Sequence, residues 1–358
     1  MKKLNVLVVF GGCSSEYSVS LESAYSTIKN LDAGKYCPVL AGISKEGNWY
    51  YFNGDIAKIK EDTWNNATDC VPAVLSPNRS EKSLLIRRPD GVEMIPIDVA
   101  LPILHGRNGE DGTVQGTIEL AGIPLAGCSV LASALCMDKD RAHKLAQTAG
   151  VRVPRAITFK KGIDSNASKI AQIEEKAGSF ADRIGYPVYV KPVKAGSSYG
   201  ITRVSDPSQL SAAITDAFAY DDEIIIEENI EGFEVGCAVL GTDELITGEV
   251  DEIELASGFF NYTEKYTLET SAIHVPARIT KAQSVRIKQT AKLIYRTLSC
   301  SGFARVDMFL TPSDEIVFNE VNTIPGFTEH SRYPGMMKAA GYSFSEVLDR
   351  IIGQAVRK

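Results

Sequence analysis

Asp307 and Glu320 stand on either side of a turn at Thr311 to Glu315, with Arg305 and Asn322 two residues further out on their respective sides. The flanking runs, Gly302 to Leu310 and Glu315 to Asn322, are rich in Val, Phe and Ile and predict a hairpin. Centred between Ser313 and Asp314, that hairpin sets Asp307 opposite Glu320 and Arg305 opposite Asn322. All four then share one face, because strand side chains alternate. Opposed carboxylates repel unless a cation lies between them. A hard cation such as Mg²⁺, shared with substrate phosphates, resolves the conflict. A solvated hairpin face accounts for the same residues without an ion. Ser313-Asp314 is also not a usual two-residue turn, and a one-residue slip breaks the opposition.

Two further stretches carry chemistry. Leu104 to Gly116 packs four glycines and a dense polar set, including His105, Glu110 and Asp111, into one strand-to-helix turn. Glycines let backbone approach a ligand, and a helix starting near Thr113 offers free N–H groups to an anion. Glu110 and Asp111 also suit a plain helix start. Lys191 ends an alternating strand and precedes Ala195 to Gly200, a loop of small hydroxyl residues that could clamp phosphate or be no more than a flexible turn.

The elements that must position these groups read as follows. Leu4 to Phe10 is a strand, Gly11 to Ser15 a turn and Ser18 to Leu31 a helix, with later strands at Val39 to Ile43 and Asp98 to Ile103. This alternation predicts a parallel α/β layer whose ligands gather at strand carboxyl ends, where Glu16 and His105 fall. A helix is expected over Leu131 to Ala149, and strands over Tyr186 to Pro192, Glu223 to Glu228 and Phe233 to Leu240. A polar stretch from Glu252 to Thr270 has the length of a lid. Ile287, Ala291, Ile294 and Leu298 keep helical spacing on a core face, and a last helix runs from Ser343 to Val356.

The chain has 358 residues, enough for two or three domains at about 150 each. Its 38 basic against 45 acidic residues give a net charge of −7, without the basic excess of a nucleic-acid binder. Seven scattered cysteines without Cys-x-x-Cys spacing fit a reducing compartment. Val6 to Phe10 is too short for a signal peptide, and no stretch approaches the roughly 18 apolar residues of a membrane span. A cytoplasmic, soluble protein is expected.

Five ordered motifs then carry a resemblance over nearly the whole chain. They are Gly11 to Glu16, His105 to Gly116, Lys191 to Ser198, Glu264 to Tyr266, and Asn319 to Gly326. Together they resemble the D-alanine-D-alanine ligase family of ATP-grasp enzymes. The resemblance implies an α/β fold with an N-terminal Rossmann-like parallel domain (1–127), a central ATP-grasp subdomain (128–214) and a C-terminal ATP-grasp domain (215–358) with a lid at 252–277. It places ATP between the last two, with Lys139, Lys191 and Ser198 on its phosphates and Glu227, Glu228, Ile230 and Glu234 about adenine and ribose. Those acids could equally be exposed strand charges. Asp307, Glu320 and Asn322 become ligands of two Mg²⁺ ions, with Mn²⁺ an alternative.

By the same resemblance Glu16 takes the ammonium of the first D-alanine in a set with Ser197 and Tyr266. His105 and Lys265 lie by the substrates. Arg305, the Gly326 N–H and Ser331 hold the second substrate's carboxylate and the developing oxyanion. A carboxylate accepts an amine only once its oxygen leaves easily, so ATP first makes an acyl phosphate. Lysine and Mg²⁺ offset charge in that step, and Arg305 with an aimed N–H stabilises the oxyanion in the next.

Phe260 and Arg332 replace a tyrosine and a leucine usual in the family, and resemble the D-alanine-D-serine ligases of the vancomycin-resistance branch. Glu264 to Tyr266 is intact, which implies an amine rather than a D-lactate hydroxyl as nucleophile. His274 is read as structural. Arg332 could meet the serine hydroxyl, reshape the pocket, or form a surface ion pair. The product expected is D-alanyl-D-serine from D-alanine and D-serine, with a homodimer implied by the family. The alternatives are a D-alanine-D-alanine ligase, another ATP-grasp carboxylate-amine ligase, and a nucleotide sensor without turnover.

Overall fold

A computed structural model describes residues 2–162, 167–196, 199–255 and 271–357. Ser197, Ser198, Phe260, Glu264, Lys265 and Tyr266 lie outside these described residues. Strand β1 (Leu4–Gly11) is fully buried over Val6 to Phe10, as a central strand covered on both faces must be. It pairs in parallel with β2 (Tyr36–Ile43) and β7 (Val99–Pro102). Helix α1 (Tyr17–Asn30) makes the crossover and buries Leu21, Ala24 and Ile28.

The expected parallel layer is the core of a longer sheet. Beyond β2, strands β3 (Trp49–Phe52), β4 (Cys70–Leu75), β5 (Ser83–Arg88) and β6 (Gly91–Pro96) add on antiparallel. They are short and interrupted by prolines at 72 and 96, which weakens their sequence signal. The one-turn helix α2 (Ala57–Lys60) packs on α1, and α3 (Thr113–Leu120) follows the glycine-rich turn.

The single helix expected over Leu131 to Ala149 is two, α4 (Val130–Met137) and α5 (Lys139–Thr148). Asp138 leaves helical geometry at φ −92° and ψ 99°, and its carboxylate accepts the Arg141 N–H at 3.0 Å. This N-cap starts the second helix at Lys139 and sets that lysine in its first turn.

A four-stranded sheet follows, built from β8 (Ala156–Lys160), β9 (Val188–Pro192), β10 (Thr202–Val204) and β11 (Glu223–Glu228), with α6 (Ala167–Ile184) and α7 (Leu210–Tyr220) packed on it. Strand β11 pairs with both β8 and β9. The central layer therefore extends to Glu228, and the boundary expected at 214 is corrected because it falls inside α7.

The third sheet contains β12 (Phe233–Leu240), β13 (Ile246–Thr247), β14 (Asp251–Leu255), β15 (Ser271–His274), β16 (Phe303–Leu310) and β17 (Ile316–Asn322). Helix α8 (Lys281–Thr297) opens with a Thr280 and Gln283 capping box and lays Ile287, Ala291 and Ile294 on the sheet. After α9 (Arg332–Ala339), helix α10 (Phe344–Arg357) packs Val347, Leu348 and Ile351 into one core with Val6, Leu21 and Val99. That core also holds Ala238, Leu240 and Phe303 of the third sheet, so the last helix packs on the first layer and on its own segment at once.

The hairpin β16–β17 has the predicted opposition by a different route. Leu310 pairs with Ile316 and Phe309 with Val317, which centres the turn on Ser313. Asp314 closes it with φ 65°. That register alone would misalign the acids, but a shift between Asp307 and Met308 leaves Asn319 as an extra residue. Beyond this bulge Asp307 faces Glu320 and Arg305 faces Asn322. Among the described residues no helix is long and apolar enough to cross a membrane.

Candidate active site

A cavity of about 680 Å³ opens where the three layers meet. Of the residues expected to act, Glu16 and His105 reach it from the first layer and Lys139 from α5. Arg305, Glu320 and Asn322 reach it from the hairpin, and Gly326, Ser331 and Arg332 from the segment after β17.

Glu16 sits at the N-terminus of α1 and is 8 % exposed. A Cβ on Gly106 or Gly196 would lie 2.5 or 2.7 Å from its Oε2. Only glycines let the two loops close on this carboxylate, and Gly106 also has φ +69°. Close by, Glu110 accepts the Gly106 N–H at 2.9 Å and the Ile324 N–H at 3.0 Å. Burial, with the negative charge of Glu16 adding to it, raises its carboxyl to about 8.

His105 was expected at the second substrate, but the protein occupies both ring nitrogens. Nδ1 donates to the Ile324 oxygen at 2.8 Å, so Nε2 accepts from the Ser23 hydroxyl at 3.2 Å. Ser23 in turn accepts the Phe327 N–H at 3.1 Å. Burial pulls the imidazole below its usual range and favours this neutral form. His105, Glu110 and Ser23 therefore brace the segment Ile324 to Phe327 that carries Gly326. Ser331 closes the same segment, its hydroxyl 3.0 Å from the Thr328 nitrogen and from where a Gly326 Cβ would stand.

On the opposite wall Lys139 donates to the Ala195 oxygen at 2.9 Å and lies 3.6 Å from Glu320. Lys191 donates to Glu227 at 2.6 Å, and Glu227 is 1 % exposed. Burial opposes both charges, yet the pair prevails: the lysine is held above its ordinary range and the acid below. Glu227 is thus an acid beneath Lys191. Two other acids expected on the nucleotide are engaged by arginines. Glu228 takes Arg155 at 2.5 Å and Arg152 at 3.3 Å, and Glu234 takes Arg332 at 2.7 Å. Ile230 lies half-buried in the turn between β11 and β12.

The hairpin acids fit a shared cation better than a caged one. Asp307 accepts three bonds from Arg305, at 2.8, 3.1 and 2.7 Å, and one from Asn322 at 2.9 Å. Among the described residues no cluster of three or more His, Cys, Asp or Glu side chains could hold an ion unaided. Glu320 and Asn322 line the cavity, whereas Asp307 lies behind them with both oxygens on Arg305 and Asn322, so the set would suit Mg²⁺ only as a partial one completed by phosphates and water.

Arg332 is buried, which removes the surface ion pair. Its guanidinium forks onto Asp251, Nε to Oδ2 at 2.7 Å and Nη2 to Oδ1 at 2.9 Å, while Nη1 meets Glu234. Asp251 is fully buried and also accepts the Gly236 N–H at 2.8 Å. A Cβ on Gly236 would come within 2.5 Å of both Arg332 and Asp251, so the sheet is built around this pair. Sequence reading missed Asp251; its one signal is a carboxylate in a strand otherwise apolar on that face. His274, in the edge strand β15, binds Glu254 at 2.7 Å and is not among the residues lining the cavity.

Comparison with known proteins gives the family. The model described as D-ala D-ala ligase N-terminus matches residues 5–128, and the one described as D-ala D-ala ligase C-terminus matches residues 145–353. The chain belongs to the D-alanine-D-alanine ligase family of ATP-dependent ligases. A solved structure of the VanG D-Ala:D-Ser ligase from Enterococcus faecalis is 53 % identical, with a TM-score of 0.89 over 99 % of this chain and 100 % of that one. A putative D-alanine--D-lactate ligase of Streptomyces coelicolor is 44 % identical over 99 % of both chains. The vancomycin B-type resistance protein VanB of Enterococcus faecalis is 43 % identical over 100 % of both. Relatives of this chain thus carry names for different second substrates.

Proposed function

We propose that this ligase joins D-alanine to D-serine, giving D-alanyl-D-serine for peptidoglycan precursors of lowered vancomycin affinity. The observation that carries the reading is Arg332, a buried cation in the cavity wall fixed by Asp251. Asp251 and Glu234 take three of the five guanidinium N–H groups, so N–H groups remain that a substrate hydroxyl can meet and a methyl group cannot. Neither the arginine nor its carboxylate would suit a pocket for a methyl group.

When bound, ATP supplies the phosphoryl group that turns D-alanine into an acyl phosphate, and Mg²⁺ offsets its charge. Lys139 and Lys191 hold the phosphates, and Asp307, Glu320 and Asn322 would hold the metal. Glu16 orients the first ammonium. Arg305 and the Gly326 N–H, kept in place by His105, Glu110 and Ser23, stabilise the oxyanion left by the attacking amine. Ser331 holds the second carboxylate. The protein is cytoplasmic and works as a homodimer; the expected lid at 252–277 begins in strand β14 and ends just past its partner β15, and its centre lies outside the described residues.

The test is the product made from Mg-ATP and D-alanine with equal D-serine, D-alanine and D-lactate present. Predominant D-alanyl-D-serine supports the reading. Predominant D-alanyl-D-alanine or depsipeptide sinks the serine assignment and leaves the ligase.

A further inference from the structure

The loop after β9 reaches both halves of the site through Ala195 and Gly196, which line the cavity. The Ala195 oxygen accepts the Lys139 ammonium at 2.9 Å, and a Cβ on Gly196 would stand 2.7 Å from Oε2 of Glu16. Where these two residues sit therefore bears on the phosphate wall and on the first substrate's ammonium together. The sheet does not fix them, because β9 ends at Pro192 and β10 begins only at Thr202.

The end of helix α7 meets both described ends of this loop. The helix stops at Tyr220, and Asp221 turns extended, with φ −149° and ψ 151°. Aspartate suits such a place because its carboxylate can accept the N–H two residues on. Oδ1 does so with Glu223 at 3.2 Å, and Oδ2 accepts the Lys194 N–H at 2.7 Å. The Asp221 side chain is 9 % exposed and is not among those lining the cavity. Tyr220 meets the far end: its ring centroid lies 6.3 Å from that of Tyr199, and a Cβ on Gly200 would come within 2.5 Å of it. The Lys194 ammonium also bonds Glu223 at 2.7 Å, but that side chain is 41 % exposed and its ion pairs are screened by water. The bond from the Lys194 main chain to Asp221 is independent of the side chain at 194.

We propose that Asp221 is a positioning residue: by holding the Lys194 N–H it sets Ala195 against Lys139 and Gly196 against Glu16, and so governs the binding of ATP and of the first D-alanine from outside the cavity. This rests on the roles given to Lys139 and Glu16 above. It adds a residue that touches neither substrate nor nucleotide and acts through those that do.

Three variants of the full-length protein test it. Asp221→Ala removes the acceptor, Asp221→Asn keeps one oxygen without the charge, and Lys194→Ala keeps the N–H and loses only the ammonium. Hydrogen exchange of the protein without nucleotide, read by mass spectrometry, should quicken over Val193 to Gly196 in Asp221→Ala and stay at the wild-type rate in Lys194→Ala. The calorimetric Kd for Mg-ATP and the KM for D-alanine at saturating D-serine should each rise about tenfold in Asp221→Ala, as for loss of one charge-assisted hydrogen bond. The KM for D-serine should stay unchanged. Asp221→Asn should fall between wild type and Asp221→Ala, and it decides the matter alone if Asp221→Ala does not fold. A D-serine KM that rises with the other two would mark a general loss of structure and overturns the inference, as do unchanged values for ATP and D-alanine. Equal effects of Asp221→Ala and Lys194→Ala overturn the main-chain bond as the cause. An unchanged ATP Kd in Lys139→Ala overturns the phosphate reading beneath, whatever Asp221 does.

Discussion

Arg332 and Glu110 show how one side chain in this cavity sets a measurable property. Arg332→Leu removes the polar partner of a hydroxyl and leaves Asp251 buried and uncompensated, so both selectivity and stability should fall. The D-serine over D-alanine preference, read as product ratio at equal concentrations, should drop at least about tenfold. An unchanged ratio would mean Arg332 is only a structural cation. Glu110 makes a prediction in pH. Its carboxyl titrates at about 8 in the fold against an ordinary 4.5, so the native state keeps a proton that the unfolded chain releases in between. Stability from this group is complete below 4.5 and is lost as pH rises towards about 8. Denaturant midpoints should fall across that window in wild type, and the fall should flatten in Glu110→Gln. Sequence made both residues visible as polar groups in suggestive places. It could not show that His105, the most chemical-looking of them, spends both ring nitrogens on backbone and on Ser23, because those partners lie 219 and 82 residues away.

At the scale of elements, a bulge, a cap and a glycine do what no single catalytic group does. The opposition of Asp307 and Glu320 was legible from strand alternation, yet the structure reaches it through a turn on Ser313 corrected by Asn319. A bulge leaves little trace in a sequence, because it depends on which ladder bonds the partner strand offers. The break at Asp138 has no Gly or Pro to announce it; its one trace is an N-cap acid opening the charged run Asp138 to Arg141. Gly236 in β12 gives the clearest test. Gly236→Ala places a methyl 2.5 Å from Arg332 and Asp251, so the pair must separate or the strand must shift. Overpacking of this kind costs about 1–3 kcal/mol. Thermal unfolding should show that loss, and D-serine selectivity should fall with it while the KM for ATP stays near wild type. A stable Gly236→Ala protein with intact selectivity would show that the pair is not held by packing.

Over the whole molecule the chain closes on itself. Helix α10 is remote in sequence from β1 and shares its core, a contact that cuts across the segments 1–127 and 215–358. Local periodicity announced the helix and its apolar face but not the layer it completes, a fact fixed only by long-range contacts. At the seam the Tyr36 hydroxyl donates to Asp349 at 2.5 Å and the Lys35 ammonium at 2.8 Å. The two bonds differ in surroundings. Tyr36 is 6 % exposed, whereas the Lys35 side chain is 56 % exposed and its ion pair is screened by water. Lys35→Ala should therefore change stability by less than about 0.5 kcal/mol. Asp349→Ala removes the acceptor of a half-buried hydroxyl and should cost about 0.5–1.5 kcal/mol. Because this seam lies apart from the cavity, kcat and both KM values should be unchanged in either variant. Urea unfolding of the three proteins decides the matter: equal losses for Lys35→Ala and Asp349→Ala would mean the exposed ion pair, not the tyrosine hydroxyl, latches the last helix to the first layer.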